Sequence, residues 1–169
     1  PVFLGEHLQM APQQFFWCFL ITIGGIMGGA MVSGRLAGKI KPKRQVRVGL
    51  SIMLVIALVN LAANLVFTAH ASWAMLPLGI FSFGWALMVP VVTLLVLDLH
   101  PARRGMASSL QMFVGSTANG IVAGVVSPLV MHSTVALAAA SLLMLCVGLV
   151  SWGYIRRRWP DIGLNIEHG

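Results

Sequence analysis

Charged side chains are what this sequence has least of. Asp, Glu, Lys and Arg together make up 9% of its 169 residues, whereas soluble domains carry about 25%. Hydrophobic residues make up 58%, so too few polar side chains remain to cover a soluble core of this size. The composition therefore excludes a soluble domain and indicates an integral membrane protein.

Cysteine is also scarce. The two cysteines, Cys18 and Cys146, lie alone in apolar runs and lack the spacing of metal ligands. We therefore predict no metal site and no other cofactor. His70 and His132 fall in short polar breaks, where solvated turn residues are expected. No Ser/His, His/Glu or Cys/His combination falls at membrane depth, so an enzyme is not expected.

Basic residues outnumber acidic ones, giving a net charge of +7. A basic surface is the usual footprint of nucleic-acid binding. Here, however, the basic residues form three clusters that bound apolar runs, at residues 35–47, 103–104 and 156–158. This arrangement excludes a nucleic-acid partner and points to loops between membrane spans.

The two longest uncharged stretches are residues 48–97 and 105–155. A single helix over either stretch would be ~75 Å long, more than twice the ~30 Å hydrocarbon core. Each stretch must therefore fold back, and polar turns are expected at residues 69–72 and 131–134. The predicted spans are residues 14–33, 48–68, 73–97, 106–130 and 135–155, within one unit of residues 1–169 that ends in a tail, 156–169.

This arrangement of spans places all eleven Lys and Arg residues on one side of the bilayer. The positive-inside rule assigns that side to the cytoplasm. The predicted fold is thus an all-α, polytopic membrane helical bundle with five transmembrane helices, an extracytoplasmic start and a cytoplasmic C-terminus.

The basic cluster carries a family resemblance. The sequence from Gly34 to Lys39, Gly-Arg-Leu-Ala-Gly-Lys, is followed by Lys43 and Arg44. It resembles the loop motif of the major facilitator superfamily, found between the second and third helices and repeated in degraded form between the eighth and ninth. Gly38 stands where an acidic residue is usual, which favours the second copy.

Two further segments resemble one branch of that superfamily. Residues 101–111 resemble the start of the eleventh helix in drug:proton antiporters of the bicyclomycin-resistance branch. The series Gly115, Gly120, Gly124 and Ser127-Pro128 resembles a weakened glycine-proline motif of antiporter helices. The resemblance covers essentially the whole chain, read as helices eight to twelve.

The resemblance implies part of the C-terminal half of a twelve-helix transporter in a bacterial inner membrane. Its expected partners are the missing N-terminal half of the same transporter, a small-molecule substrate, protons as coupling ion and the lipid bilayer. The expected function is proton-coupled efflux of hydrophobic or cationic drugs by alternating access. A transporter of sugars, organic acids or other metabolites is an alternative, as is a nontransporting membrane fragment or assembly partner.

Candidate substrate contacts lie in the third and fourth spans. Phe83, Trp85 and Met88 cluster between two prolines, and adaptable aromatic and Met side chains suit promiscuous binding. The resemblance implies that the tenth helix lines the cavity and that Asn119 lies in a helix at the interface between halves. Packing against lipid or other helices is the alternative for each residue.

The conformational latch is expected in the basic loop. In the family such loops help to hold the outward-facing state, and Gly34, Arg35 and Lys39 are the residues to which the resemblance assigns this role. Arg35 and Lys39 are expected one turn apart on one helix face.

Other polar residues in or near the spans receive structural predictions. Asp98, at the end of the third span, is expected to form an ion pair or to be solvated rather than to relay protons. The proton-coupling carboxylate is then expected in the absent part of the protein. Asn60 and Asn64 share a helix face and are expected to hydrogen-bond between helices.

Overall fold

The computed structural model describes residues 15–66, 71–99, 101–130 and 133–158, and all regular structure in these ranges is helical. A short 3-10 turn, Pro101–Arg103, precedes α4, and a π-helical segment, Val122–Val126, joins α4 to α5. The helices are α1 (Phe15–Leu36), α2 (Pro42–Val66), α3 (Ala71–Asp98), α4 (Arg104–Ile121), α5 (Ser127–Val130) and α6 (Thr134–Arg158).

Five helical stretches in the described part of the chain are long and apolar enough to cross a membrane. This confirms the prediction of an all-α bundle with five membrane-spanning helices. The stretches are Phe16–Leu36, Pro42–Asn64, Leu76–Asp98, Pro101–Val130 and Val135–Arg158.

The basic segments are more helical than predicted. Between α1 and α2 only residues 37–41 lie outside a helix, because Pro42 can occupy a first helical turn, where its missing N–H costs nothing. Residues 156–158, predicted to begin the tail, form the last turn of α6. Basic side chains are favourable there because carbonyl groups make a helix C-terminus partly negative.

Other predicted boundaries meet the limits of the described residues. The turn at 69–72 is described only from Ala71, which already begins α3. The turn at 131–134 is described from residue 133. His70, His132 and the segments 1–14 and 159–169 lie outside the described residues.

α3 is the central helix, packing along α1 on one side and α2 on another. The contact with α1 depends on the glycines of its Gly-x-x-x-Gly pairs. A Cβ atom at Gly25 would overlap the carbonyl group of Gly79, and one at Gly29 would overlap the carbonyl oxygen of Phe83. Small residues at this spacing let two backbones approach closely. α1 and α3 therefore approach closely at Gly25 and Gly29, whereas a Cβ atom at Gly24 would meet nothing within 4 Å.

The apolar core lies on the other side of α3, among α2, α3 and α6. Its buried members come from all three helices: Val46, Leu50, Met53 and Ala57 of α2, Leu95 of α3 and Leu145 of α6. This core holds α6 against the centre of the bundle.

α4 is the least packed span. None of its residues is buried, and the same is true of the π-helical segment and α5. Pro128 has no N–H to donate to the carbonyl of Gly124. The helix widens at this point, where the N–H of Ser127 bonds to the carbonyl of Val122. The glycines at 115, 120 and 124 all face open space.

Candidate substrate-contact and gating sites

A buried polar junction joins three helices beside the basic loop. Gln45, in the first turns of α2, is only 3% exposed. Its side-chain amide donates to the Ser33 hydroxyl of α1 at 2.8 Å and to the backbone carbonyl of Leu87 of α3 at 3.1 Å. Ser33 and Leu87 are equally buried, at 4% and 2% exposed. One side chain therefore ties α1, α2 and α3 together.

The bond to α3 lies one turn before Pro90. Proline has no N–H, so the carbonyl four residues earlier, that of Ala86, loses its partner within the helix. Gln45 donates to the neighbouring carbonyl, that of Leu87, and so adds a bond between helices in the part of α3 that the proline weakens.

Gln45 is absent from the residues predicted from the sequence because the second span is predicted to begin at residue 48. The available signal was an uncharged polar residue next to Val46 within a helix that starts at Pro42. Once that start is known, Gln45 falls on the same helix face as Gly49, which lies against α3.

The latch residues differ from the predicted arrangement. Arg35 lies in the last turn of α1, whereas Lys39 lies in the connecting turn. Between them Gly38 adopts a positive φ of 75°, which reverses the chain direction and suits glycine because it has no Cβ atom. The prediction that Arg35 and Lys39 lie one turn apart on one helix face is therefore wrong.

The local surroundings of the latch are open. Arg35, Lys39 and Gly34 are all exposed, and a Cβ atom at Gly34 would meet nothing within 4 Å. The positive φ of Gly38 is a physical reason why glycine stands where the family motif usually has an acidic residue. An acidic side chain at that position would have to adopt a backbone conformation that L residues rarely use.

The three predicted contacts on α3 do not share one surface. Phe83 lies against Gly28 of α1, with its ring 3.5 Å from where a glycine Cβ would stand. Met88 packs beside Gly49 of α2, and Trp85 is 46% exposed. Each residue turns an α-helix by ~100°, so Phe83 is directed away from the other two. The structure separates the aromatic pair that the sequence places together.

Asn119, the fourth predicted contact, is exposed on α4. Gln111, eight positions earlier, contacts α3. Its amide donates to the Thr93 hydroxyl at 3.0 Å, while its carbonyl oxygen is buried and has no partner in the described part of the chain.

At the end of α3, Asp98 pairs with Arg104 at 2.8 Å, which is one of the two roles predicted for this acid.

Asn60 and Asn64 line a cavity instead of bridging helices. The Asn64 amide donates to the backbone carbonyl of Asn60 at 2.8 Å and to its side-chain oxygen at 3.2 Å, both within α2. The predicted interhelical bonds are thus replaced by bonds inside one helix. The adjacent cavity, of about 370 Å³, lies among α2, α3 and α6 and is also lined by Pro77 and Ser141.

The described residues hold no group of three or more His, Cys, Asp or Glu side chains that could bind a metal ion. The functional features are instead those of a membrane protein whose helices pack through small residues, proline breaks and uncharged polar contacts. They define the class of polytopic α-helical membrane proteins.

Comparison with known proteins gives the family. The sequence pattern of the Major Facilitator Superfamily matches residues 1–123, which include α1, α2, α3 and α4. The chain therefore belongs to the major facilitator superfamily, a family of membrane transporters of small molecules. No curated protein and no solved structure matches the chain.

Proposed function

We propose that this chain is part of a secondary transporter that exports hydrophobic or cationic compounds in exchange for protons. Family membership supports transport. The preference for hydrophobic compounds rests on the bare surface of α4. Large apolar side chains such as Met112 and Phe113 are exposed on the helix that carries Asn119, and this helix has no charged residue after Arg104. Pockets for such compounds are mostly apolar with a few polar groups that fix orientation.

The same surface supports the proposal that these spans are part of a C-terminal half. A helix that crosses the membrane with none of its residues buried has room for partner helices on most of its circumference. The open glycines along it would allow close approach of such partners. In this proposal the missing N-terminal half covers the face of α4 that carries Asn119, and substrate moves along the surface between the halves by alternating access.

The coupling carboxylate is proposed to lie in that other half. Asp98 is already paired with Arg104 at the end of α3, and the five spans contain no other acidic residue among the described residues. Intramembrane acids are the usual proton carriers in transporters. The C-terminus and all basic clusters are proposed to face the cytoplasm of a bacterial cell.

Transport by the full-length protein tests this proposal directly. Inside-out vesicles are loaded under an imposed pH gradient, and uptake of a fluorescent hydrophobic cation is followed. We expect uptake that collapses when the gradient is dissipated. Asn119→Leu should raise KM several-fold, whereas Ser109→Ala, which removes an exposed hydroxyl bonded within its own helix, should not. Gradient-driven uptake of sugars or organic acids instead would favour the metabolite alternative, and no uptake at all would favour a nontransporting role.

The latch has its own test. Replacing both Arg35 and Lys39 with Ala should shift the transporter toward its inward-facing state, because these cations are proposed to hold the outward-facing one. The matched control is Arg156→Ala with Arg157→Ala, which removes the same charge from another cluster. Reactivity of cysteine probes from the two sides of the membrane reports the shift. An unchanged reactivity pattern in the first variant, or an equal change in both, refutes the latch.

A further inference from the structure

We propose that the cavity between the end of α3 and the first half of α4 binds an anionic phospholipid, with one acyl chain along the cavity and Arg103 at the headgroup. Neither the residues proposed for substrate contact nor the latch residues line this cavity. It is defined here as the α3–α4 slot: Val96, Leu99, Arg103, Met106, Leu110 and Val114 form most of its wall.

The size of the α3–α4 slot fits an acyl chain. Its volume is about 520 Å³, and the chain rises by ~16 Å between Arg103 and Val114. This length matches one leaflet, which is about half of a ~30 Å hydrocarbon core. The length and apolar lining of the slot therefore suit an extended hydrocarbon chain.

The charge at the mouth of the α3–α4 slot selects an anion. Of the two neighbouring arginines, Arg104 is paired with Asp98 at 2.8 Å. Arg103 is exposed and has no ion pair in the part of the chain that the structure describes. Above Arg103 the slot wall is uncharged. A single cation below an apolar wall matches a phosphate headgroup followed by an acyl chain.

The far end of the α3–α4 slot is held by a hydrogen bond between its two helices. The Gln111 amide donates to the Thr93 hydroxyl at 3.0 Å, which fixes the distance between α3 and α4 five residues before the end of α3. α4 contacts α3 but has no buried residue, so the slot remains open to the bilayer from the side. A lipid can therefore enter laterally from the leaflet whose headgroups meet the basic loops.

Binding measurements on the purified protein in detergent test the slot. The probes are short-chain phosphatidylglycerol, short-chain phosphatidylcholine and glycerol phosphate, which has the headgroup chemistry without a chain. We expect phosphatidylglycerol to bind at least fivefold more tightly than phosphatidylcholine and glycerol phosphate not to bind. Binding of glycerol phosphate with the same affinity would show a simple anion site and overturn the proposal.

Three variants and one control variant separate the slot from general attraction of lipid to a basic protein. Arg103→Gln should remove the preference for phosphatidylglycerol, whereas the control Arg156→Gln, which removes the same charge elsewhere at this end, should keep it. Ala107→Phe should fill the slot and weaken binding of both lipids at least tenfold. Leu110→Gln, a milder change on the same wall, gives a second test if the larger side chain prevents folding. Equal losses in Arg103→Gln and Arg156→Gln, or unchanged binding in both wall variants, refute the slot.

Discussion

The junction at Gln45 gives the sharpest stability prediction. Replacing Gln45 with Leu keeps a side chain of similar volume but removes both hydrogen bonds, at 2.8 Å to Ser33 and 3.1 Å to the Leu87 carbonyl. Hydrogen bonds between membrane helices contribute about 0.6 kcal/mol on average and up to about 1.7 kcal/mol. Losing two of them should therefore lower the free energy of unfolding by about 1–3 kcal/mol.

A double-mutant cycle isolates the bond to Ser33. Ser33→Ala and Gln45→Leu each remove the same bond, so the double variant should lose less than the sum of the single losses. The expected coupling is about 0.6 kcal/mol and at most about 1.7 kcal/mol. Reversible unfolding of the protein in bicelles or mixed micelles provides the free energies.

The control is a serine whose hydroxyl is exposed. Ser141 donates only to the carbonyl of Leu137, four residues earlier in its own helix, so Ser141→Ala should change stability by less than about 0.5 kcal/mol. Strict additivity of Ser33→Ala and Gln45→Leu would refute the reasoning, since it would show that the two side chains do not stabilise the bundle through one another.

Two further predictions concern packing and charge. Gly29→Ala should destabilise the bundle by about 1–3 kcal/mol in the same unfolding assay, because the added Cβ atom would overlap the Phe83 carbonyl oxygen. The control Gly24→Ala should be neutral or stabilising. Equal effects of the two changes would contradict the close approach of α1 and α3. Asp98→Asn removes a partly exposed ion pair with Arg104 and should lower the free energy of unfolding by less than about 1 kcal/mol. It should leave pH-driven transport by the full-length protein intact. Loss of that transport would make Asp98 a proton relay.

Charge and run length predicted the number of spans because both signals are local. A stretch without charged residues that is twice too long for the bilayer must turn, whatever it packs against. The second span is predicted to begin at residue 48, too late, because Lys43 and Arg47 are charged. Long basic side chains can, however, reach the aqueous interface from the first turns of a membrane helix. Residues 42–47 therefore belong to the helix.

The candidate sites depended on packing that the sequence does not encode locally. α1 has two overlapping Gly-x-x-x-Gly pairs, one at Gly24 and Gly28 and one at Gly25 and Gly29. The spacing suits close helix packing equally in both, and only the position of α3 shows that Gly25 and Gly29 make the contact. The burial of Gln45 likewise depends on α1 and α3. The separation of Phe83 from Met88, in contrast, follows from the turn of a helix and could have been predicted.

The central claim is that the chain crosses the membrane five times and exposes its basic clusters on one side. Accessibility of single cysteines in intact cells, which expose the outer side, and in inside-out vesicles, which expose the cytoplasmic side, tests it most directly, in a background that carries Cys18→Ala and Cys146→Ala. Lys39→Cys should react with a membrane-impermeant maleimide only from the cytoplasmic side, and Ser133→Cys only from the opposite side. Reaction of both positions from the same side would contradict the arrangement of spans and the transporter proposal built on it.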